Sequence, residues 1–355
     1  MSRSPKLQIA FNSSCLHPDA IGGWARYTRS LIESLRQHHS GEVDVIEHWN
    51  KAGETHSVWE QRTLPRLAVA ENADVLHAPA NGGVPFNSNG IPTVMTVHDL
   101  FSEEDFSWLE SLKSIDGFKR ALRYKLDWWV SLRRCTKIIA VSEFTRGQLL
   151  NLGISPEKIA VVYEGVSSKI QYDPESFGGF TPNSYILYVG TSAPRKRVDH
   201  LVQQFGRAAH LGLKLIIVGP KSALEVASQP SVVYLSKLGD EQLAKLYSGA
   251  LAFVTFSEKE GFGLPLIEAM ACGTPVLFSG AGSIEEIVAD GGLKIQEDGL
   301  VQALERLKVD AFRQGISRQA MKQALKFTWE RCAAQTLEIY KTVRIDSTRS
   351  RATAR

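Results

Sequence analysis

The sequence predicts an α/β protein built from two doubly wound, mostly parallel sheets. Three observations predict this. The chain has 355 residues, long for one hydrophobic core, so two domains are expected. Short apolar, β-branched runs alternate with amphipathic stretches, the pattern of βα units around a parallel sheet. That alternation runs once, breaks over 171–184 (QYDPESFGGFTPNS), and starts again. The break carries two prolines, two glycines and no apolar period, and reads as a linker.

The first series opens with a strand at 7–12 (LQIAFN) and a loop containing Gly22 and Gly23. A helix over 24–37 follows, with Leu31, Ile32 and Leu35 on one face and Arg26, Arg29 and Arg36 off it. A strand at 43–47 and a weaker helix over 59–70, containing Pro65, come next. Strands are expected at 73–77, 93–98, 137–142 and 158–163, with helices over 111–134 and 143–152 between the later ones.

The second series places strands at 185–189, 213–218, 231–235, 251–256 and 275–278. Helices are expected near 197–211, 221–228, 240–249 and 264–272. Ser283 with Glu286 matches a capping box opening a short helix. The last helical stretch, 298–343, carries Leu337, Ile339 and Tyr340 on an apolar face. The expected map is therefore a first domain over 1–170, a linker over 171–184 and a second domain over 185–327. A helix over 328–345 packs back on the first domain, and 346–355 is a disordered tail.

Bulk properties narrow the function. A net charge of +3 is too small to point to nucleic acid. The four cysteines, Cys15, Cys135, Cys272 and Cys332, have neither CxxC nor metal-ligand spacing and read as reduced thiols. The N-terminal apolar run is too short for a signal peptide, and no run reaches membrane-spanning length. The expected location is cytoplasmic, with any membrane contact peripheral, on the inner face.

Ligands of open α/β sheets bind beyond the carboxyl ends of the strands. In the first domain that filter returns Asn12 with Gly22 and Gly23, then His77, His98 with Asp99, and Ser142 with Glu143. In the second it returns 190–196 (GTSAPRK), 219–221, Ser236 with Lys237, and the loop around Glu260. With the two domains facing, both sets would line one cleft. Gly22 and Gly23 before a helix allow close approach of a phosphate or sugar, or form an ordinary turn. His98 is placed to donate to a hydroxyl or phosphate, or to be a hydrogen-bonded structural residue. Arg195, Lys196 and Arg197 read as a diphosphate clamp or a solvated charge run.

Around Glu260 the pattern is strand, loop, helix, strand. One carboxylate, Glu260, lies in the loop; a second, Glu268, lies one turn into a helix whose N-terminus favours anions. Two carboxylates suit a glycosidase pair, which needs about 5–5.5 Å or about 6.5–9.5 Å separation, but they leave different elements. The alternative is that each accepts hydrogen bonds from neutral hydroxyls, one on a hexose and one on a ribose. That fits a nucleotide sugar whose diphosphate lies at the helix N-terminus and Lys196.

The string EGFGLPLIEAMACGTPV from Glu260, preceded by YVGTSAPRKRVDHLV and followed by GSIEEIVADGG, resembles the retaining glycosyltransferases of family 4, with the GT-B fold. The likeness extends over the whole chain and includes the Gly22-Gly23 loop, Val97-His98-Asp99, IIAVSEFTR and FTWERCAAQTLEIY. Mannosyltransferases that build bacterial surface polysaccharide look nearest. The resemblance implies two Rossmann-like domains facing across a cleft. It implies that Glu260 contacts the transferred sugar and Glu268 the ribose. Lys196 and Arg195 would hold the diphosphate, and Gly190, Phe262, Gly263 and Leu264 would line the donor site. His98 would bind donor sugar or stabilise charge on the leaving group, and Gly22 and Gly23 would form the acceptor or phosphate loop.

One departure stands out. Many family members carry Arg where this chain has Thr191, so Arg195 or Arg197 is expected to substitute. No Asp-x-Asp pair of the kind that would hold a metal is present, so the expected cofactor is none, with the nucleotide sugar as substrate.

Residues 111–137 hold eight Lys and Arg against Asp116 and Asp127, with Tyr124, Trp128 and Trp129 among them. They read as a solvated helix or as a surface for anionic lipid or a polyprenyl-diphosphate-linked acceptor. The expected activity is transfer of a hexose, mannose favoured, from GDP-mannose or another nucleotide sugar to a glycan or lipid-linked acceptor. The alternatives are an epimerase or phosphorylase of like architecture, or a non-catalytic sugar-nucleotide-binding subunit.

Overall fold

The computed structural model describes residues 5–16, 22–50, 54–100, 115–220 and 231–353. The chain forms two units, one comprising Met1–Glu164 and Trp329–Arg355, the other Gly165–Thr328. Each is a six-stranded parallel sheet with helices packed on it.

The first unit runs β1 (Leu7–Asn12), α1 (Gly23–His38), β2 (Val43–His48), α2 (Leu64–Ala70), β3 (Val75–Ala78), β4 (Thr93–Val97), α3 (Ile115–Arg134), β5 (Lys137–Ala140), α4 (Glu143–Asn151) and β6 (Ile159–Val161). Strand order is β2-β1-β3-β4-β5-β6. The central strands β3 and β4 are buried along their length, which is why they are mostly apolar without a polar face, with His77, Thr93 and Thr96 as buried polar exceptions. Helix α1 buries Tyr27, Leu31, Ile32 and Leu35. The helix expected over 59–70 is divided: a π-helical segment, Trp59–Thr63, runs into α2. Pro65 lies in the first turn of α2, where a missing N–H costs nothing; inside one α-helix it would break the ladder.

The second unit runs β7 (Tyr185–Val189), α5 (Val198–Arg207), β8 (Lys214–Val218), β9 (Val232–Leu235), α6 (Asp240–Gly249), β10 (Ala252–Thr255), β11 (Lys259–Glu260), α7 (Leu264–Ala271), β12 (Val276–Phe278), β13 (Ala281–Gly282), α8 (Ser283–Val288), β14 (Gly292–Lys294), α9 (Leu300–Leu307) and α10 (Asp310–Ala324). Its main sheet has the order β14-β12-β10-β7-β8-β9, and β11 pairs with β13 in a two-stranded sheet beside it. Ile186, Leu201, Phe205, Leu215, Ile217 and Val254 belong to its core. The helix expected over 221–228 lies outside the described residues.

Three boundaries differ from the sequence reading. Residues 165–170 belong to the second unit, not the first. The stretch 171–184 is packed, not free: Asp173 N–H donates to Ser248 Oγ at 2.9 Å, Asn183 N–H to the Gly249 carbonyl at 2.8 Å, and Phe180 packs on Tyr185. Gly178 and Gly179 make one turn and Pro182 lies in another, and the stretch packs against the end of α6 and the start of β7. The third is the tail: α11 (Trp329–Thr353) continues past Asp346, because nothing there is a proline or glycine that would stop it.

Helix α11 rejoins the first unit. Trp329 packs on Tyr27, Arg344 Nε lies 3.2 Å from Asp74, and the Tyr340 hydroxyl lies 2.6 Å from His77 Nδ1. A buried chain continues from there. His77 Nε2 is 2.9 Å from Thr96 Oγ1, which is 3.0 Å from the Tyr27 hydroxyl. No described helix is long and apolar enough to cross a membrane.

Burial, followed by the charge of His98, pushes the His77 imidazole down to about 3. The folded chain thus keeps His77 neutral where the unfolded chain takes a proton below about pH 6.5. Stability is expected to fall as pH drops from about 6.5 toward 3, by about 1.4 kcal/mol per unit for this proton. In urea titrations, His77→Gln should flatten that slope by one proton between about pH 6 and 5.

Candidate functional site

Each parallel sheet reverses its winding direction at one place. In the second unit the chain passes from β7 outward to β8 and β9, then returns to lay β10 on the other side of β7. The loops leaving β7 and β10 therefore diverge from a common edge, and the crevice between them is where such sheets hold ligands. The loop after β7 carries Gly190 to Arg197, and the loop after β10 carries Ser257 to Gly263.

Those loops bring opposite charges together. Lys196 Nζ is paired with Glu260 Oε1, and Arg195 approaches Oε2 at 3.7 Å while donating to the Lys259 carbonyl at 3.3 Å. The Glu260 side chain is only 12% exposed. Burial opposes its ionisation, but Lys196, Arg195 and a hydrogen bond from Ser257 outweigh that and hold the carboxyl below the ordinary glutamate range. Arg197 turns elsewhere, to Glu297 at 2.9 Å. Of the two arginines expected to stand in for one at Thr191, Arg195 is the one beside Glu260.

Backbone shape accounts for the two glycines of the site. At Gly190 a Cβ would lie 2.8 Å from the Tyr188 hydroxyl, which donates to the Thr191 carbonyl at 2.7 Å. Gly263 enters α7 with φ 96°, and a Cβ there would meet Leu266 Cδ1 at 2.6 Å. Phe262 is buried edge-on against Phe327, and Leu264 opens α7.

Ser283 does not cap α8; the residue at that position is Gly282. Its hydroxyl lies 2.9 Å from the Glu260 carbonyl and 3.2 Å from that of Phe262. With the β11–β13 pairing, it ties down the Glu260 loop. Sequence reading assigned the right polarity to Ser283 and the wrong partner, since a capping box is local and this contact spans twenty-three residues.

Glu268, expected beside a ribose, is buried within α7, and the Tyr247 hydroxyl donates to its Oε2 at 2.9 Å. Tyr247 was not picked out from sequence; its place on α6 gave no sign of a carboxylate partner.

In the first unit the reversal lies between β1 and β3. Asn12 at the end of β1 donates to Glu60 Oε1 at 3.1 Å and lies 3.4 Å from the Gly83 carbonyl. His98 follows β4 and is buried. Its Nδ1 lies 2.9 Å from Glu164 Oε1 and its Nε2 2.9 Å from the Pro79 carbonyl. Sequence reading did not single out Glu164 as the partner of His98. Gly22 and Gly23 begin α1 beside Trp24, whose ring lies 6.3 Å from that of His98. A Cβ at either glycine would meet no described atom within 4 Å, so the fold itself does not demand them. Among the described residues, no three His, Cys, Asp or Glu side chains gather as a metal site.

Two family models match the chain in succession. The model of Glycosyltransferase Family 4 matches residues 21–169, and that of Glycosyl transferases group 1 matches 172–326. The chain is 31% identical over 236 residues to O-antigen chain mannosyltransferase B of Escherichia coli, covering 59% of this chain and 62% of that one. It is 32% identical over 228 residues to the MMP alpha-(1->4)-mannosyltransferase of Mycolicibacterium hassiacum, covering 59% and 54%. Both alignments thus span less than two thirds of the relatives' own length. Among solved structures, the sucrose-phosphate synthase of Thermosynechococcus elongatus superposes with a TM-score of 0.69 at 22% identity, covering 95% of this chain and 99% of that one. This last likeness is one of fold.

Ser283→Ala removes both hydrogen bonds that tie down the Glu260 loop. It is expected to cost the second unit about 1–2 kcal/mol and to speed amide hydrogen exchange across 258–263, read by mass spectrometry.

Proposed function

Since the chain belongs to the GT-B glycosyltransferases of the family 4 type, we propose that it moves a hexose, mannose favoured, from a nucleotide diphosphate sugar to a glycan or lipid-linked acceptor with retention. The observation that carries this reading is the cluster of Lys196, Arg195 and Glu260 at the winding reversal of the second sheet. Two cations beside the N-terminus of α7 suit a diphosphate, and stabilise it more as negative charge grows on the departing oxygen. Glu260 supplies an acceptor for sugar hydroxyls, and Glu268 one for the ribose. His98 supplies positive charge toward the leaving group. The acceptor hydroxyl attacks the face the diphosphate leaves, and the leaving phosphate takes its proton. Identity to two mannosyltransferases supports mannose, and the first of these supports a role in surface polysaccharide.

The pairing of Glu260 with Lys196 gives the reading a sharp consequence. A diphosphate competes with the Glu260 carboxylate for Lys196 and Arg195. Glu260→Gln is expected to lower turnover by about a hundredfold or more while binding free nucleoside diphosphate at least as tightly as the natural chain. Lys196→Ala should weaken that binding. Nucleoside diphosphate release from GDP-mannose and UDP-sugars, with a polyprenyl-diphosphate-linked acceptor, measures the first; calorimetry with GDP or UDP measures the second. No release with any donor, or a fully active Glu260→Ala chain, overturns the reading.

Peripheral contact with anionic membrane through 111–137 is the second part of the proposal. Residues 111–114, and the side chains of 115–124, lie outside the described residues. Further along α3, Leu126 is 54% and Trp129 37% exposed, and Arg133 stacks on the Trp129 ring at 4.4 Å. An exposed apolar pair flanked by a guanidinium is the composition of an interfacial surface, whereas Trp128 is buried in the core. Leu126→Glu with Trp129→Ala should reduce co-sedimentation with phosphatidylglycerol vesicles several-fold and leave the uncharged-vesicle background unchanged; unaltered sedimentation sinks this part alone.

A further inference from the structure

His98 is gripped at both ring nitrogens. Nε2 faces the Pro79 carbonyl at 2.9 Å, and a carbonyl oxygen only accepts, so Nε2 carries a hydrogen. Nδ1 faces Glu164 Oε1 at 2.9 Å. With Glu164 ionised, Nδ1 carries a hydrogen too, and the ring is an imidazolium. The backbone holds the ring in place as well. His98 N–H donates to Asn81 Oδ1 at 2.7 Å, and the Thr145 hydroxyl at the start of α4 reaches the His98 carbonyl at 3.4 Å.

The surrounding groups favour the charged ring. Tyr27 of α1 presents its ring edge-on at 4.7 Å and commits its hydroxyl to Thr96. His77 on β3 is neutral near pH 7. Cys332 of α11, near Glu164, has its thiol raised by burial and carries no charge. The anions facing the imidazole are Glu164, which follows β6, and Asp99. Burial opposes protonation of His98, but the Glu164 hydrogen bond and charge, the Pro79 carbonyl and Asp99 outweigh it and raise the imidazole above its ordinary range. A buried ion pair of this kind survives only when both partners are satisfied.

We propose that Glu164 is a positioning residue that fixes His98 as a permanent cation at the carboxyl end of β4, so that His98 acts on a phosphate-bearing substrate by charge and not by exchanging a proton. Both nitrogens being committed to the protein, a general acid's free N–H is not on offer. The proposal rests on the glycosyl-transfer reading for its catalytic meaning, but its charge assignment stands apart from turnover.

The test uses the full chain labelled with 15N-histidine. Imidazole nitrogen shifts are expected to show His98 still doubly protonated above the ordinary imidazole range. In Glu164→Gln the ring should be neutral at about pH 8 and take its second proton only at lower pH. Turnover by Glu164→Gln is expected to fall roughly tenfold or more in kcat at about pH 8, with KM little changed, and to recover as pH is lowered to about 6. The natural chain should show no such acid recovery. Glu164→Asp, which keeps the charge, should keep the natural profile. A natural chain whose His98 is neutral at pH 7, or a Glu164→Gln loss that is equal at both pH values, overturns the proposal. Should Glu164→Gln fail to fold, the nitrogen shifts of the natural chain and of Glu164→Asp decide it. If the natural chain turns over no sugar, the glycosyl-transfer reading falls, and the nitrogen shifts still decide the charge of His98.

Discussion

A parallel sheet wound in both directions from one strand leaves a gap that no crossover helix can cover. That constraint governs both halves of this protein. Between β7 and β10 the loops must part, and they part at the carboxyl edge, where strand ends and helix N-termini point the same way. Those two loops carry the basic turn at Pro194–Lys196 on one and Glu260 on the other. The same constraint between β1 and β3 brings Asn12 to the carbonyl of Gly83.

Charge placed in such a gap must be compensated. Removing a carboxylate or an imidazolium from water costs several kcal/mol unless a partner and hydrogen bonds replace the solvent. The protein does this twice. Glu260 is paired with Lys196 and approached by Arg195 at 3.7 Å. His98 and Glu164 are enclosed by Pro79, Tyr27 and Asn81. Support lies behind each: Ser283 holds the Glu260 loop by its carbonyls, and the chain from Tyr340 through His77 and Thr96 to Tyr27 fixes the ring that borders His98.

Much of this was readable beforehand, and the failures have physical causes. The strands were legible because parallel strands buried on both faces must be apolar throughout, as β8 and β10 nearly are. The place of Arg195 and Lys196 beyond a strand's carboxyl end was legible because the strand-end rule needs only the order of elements. Ser283 was misread because its sequence neighbours satisfy a local motif while its real partners lie across a loop. The stretch 171–184 was misread because composition reports turns but not what the turns pack against.

Sequence alone determined the two βα series, the restart near Tyr185, and the short list of polar residues at strand ends, because these depend on local periodicity and on chain order. It could not determine which of those residues meet. That Arg195 and not Arg197 faces Glu260, that Glu268 lies buried under the Tyr247 hydroxyl, and that Glu164 takes the His98 ring were decided by tertiary structure. The reason is that pairing depends on side-chain direction and on strand neighbours far apart in the chain. His98 and Glu164 are sixty-six residues apart, and only the adjacency of β4, β5 and β6 in the sheet brings their loops to one edge.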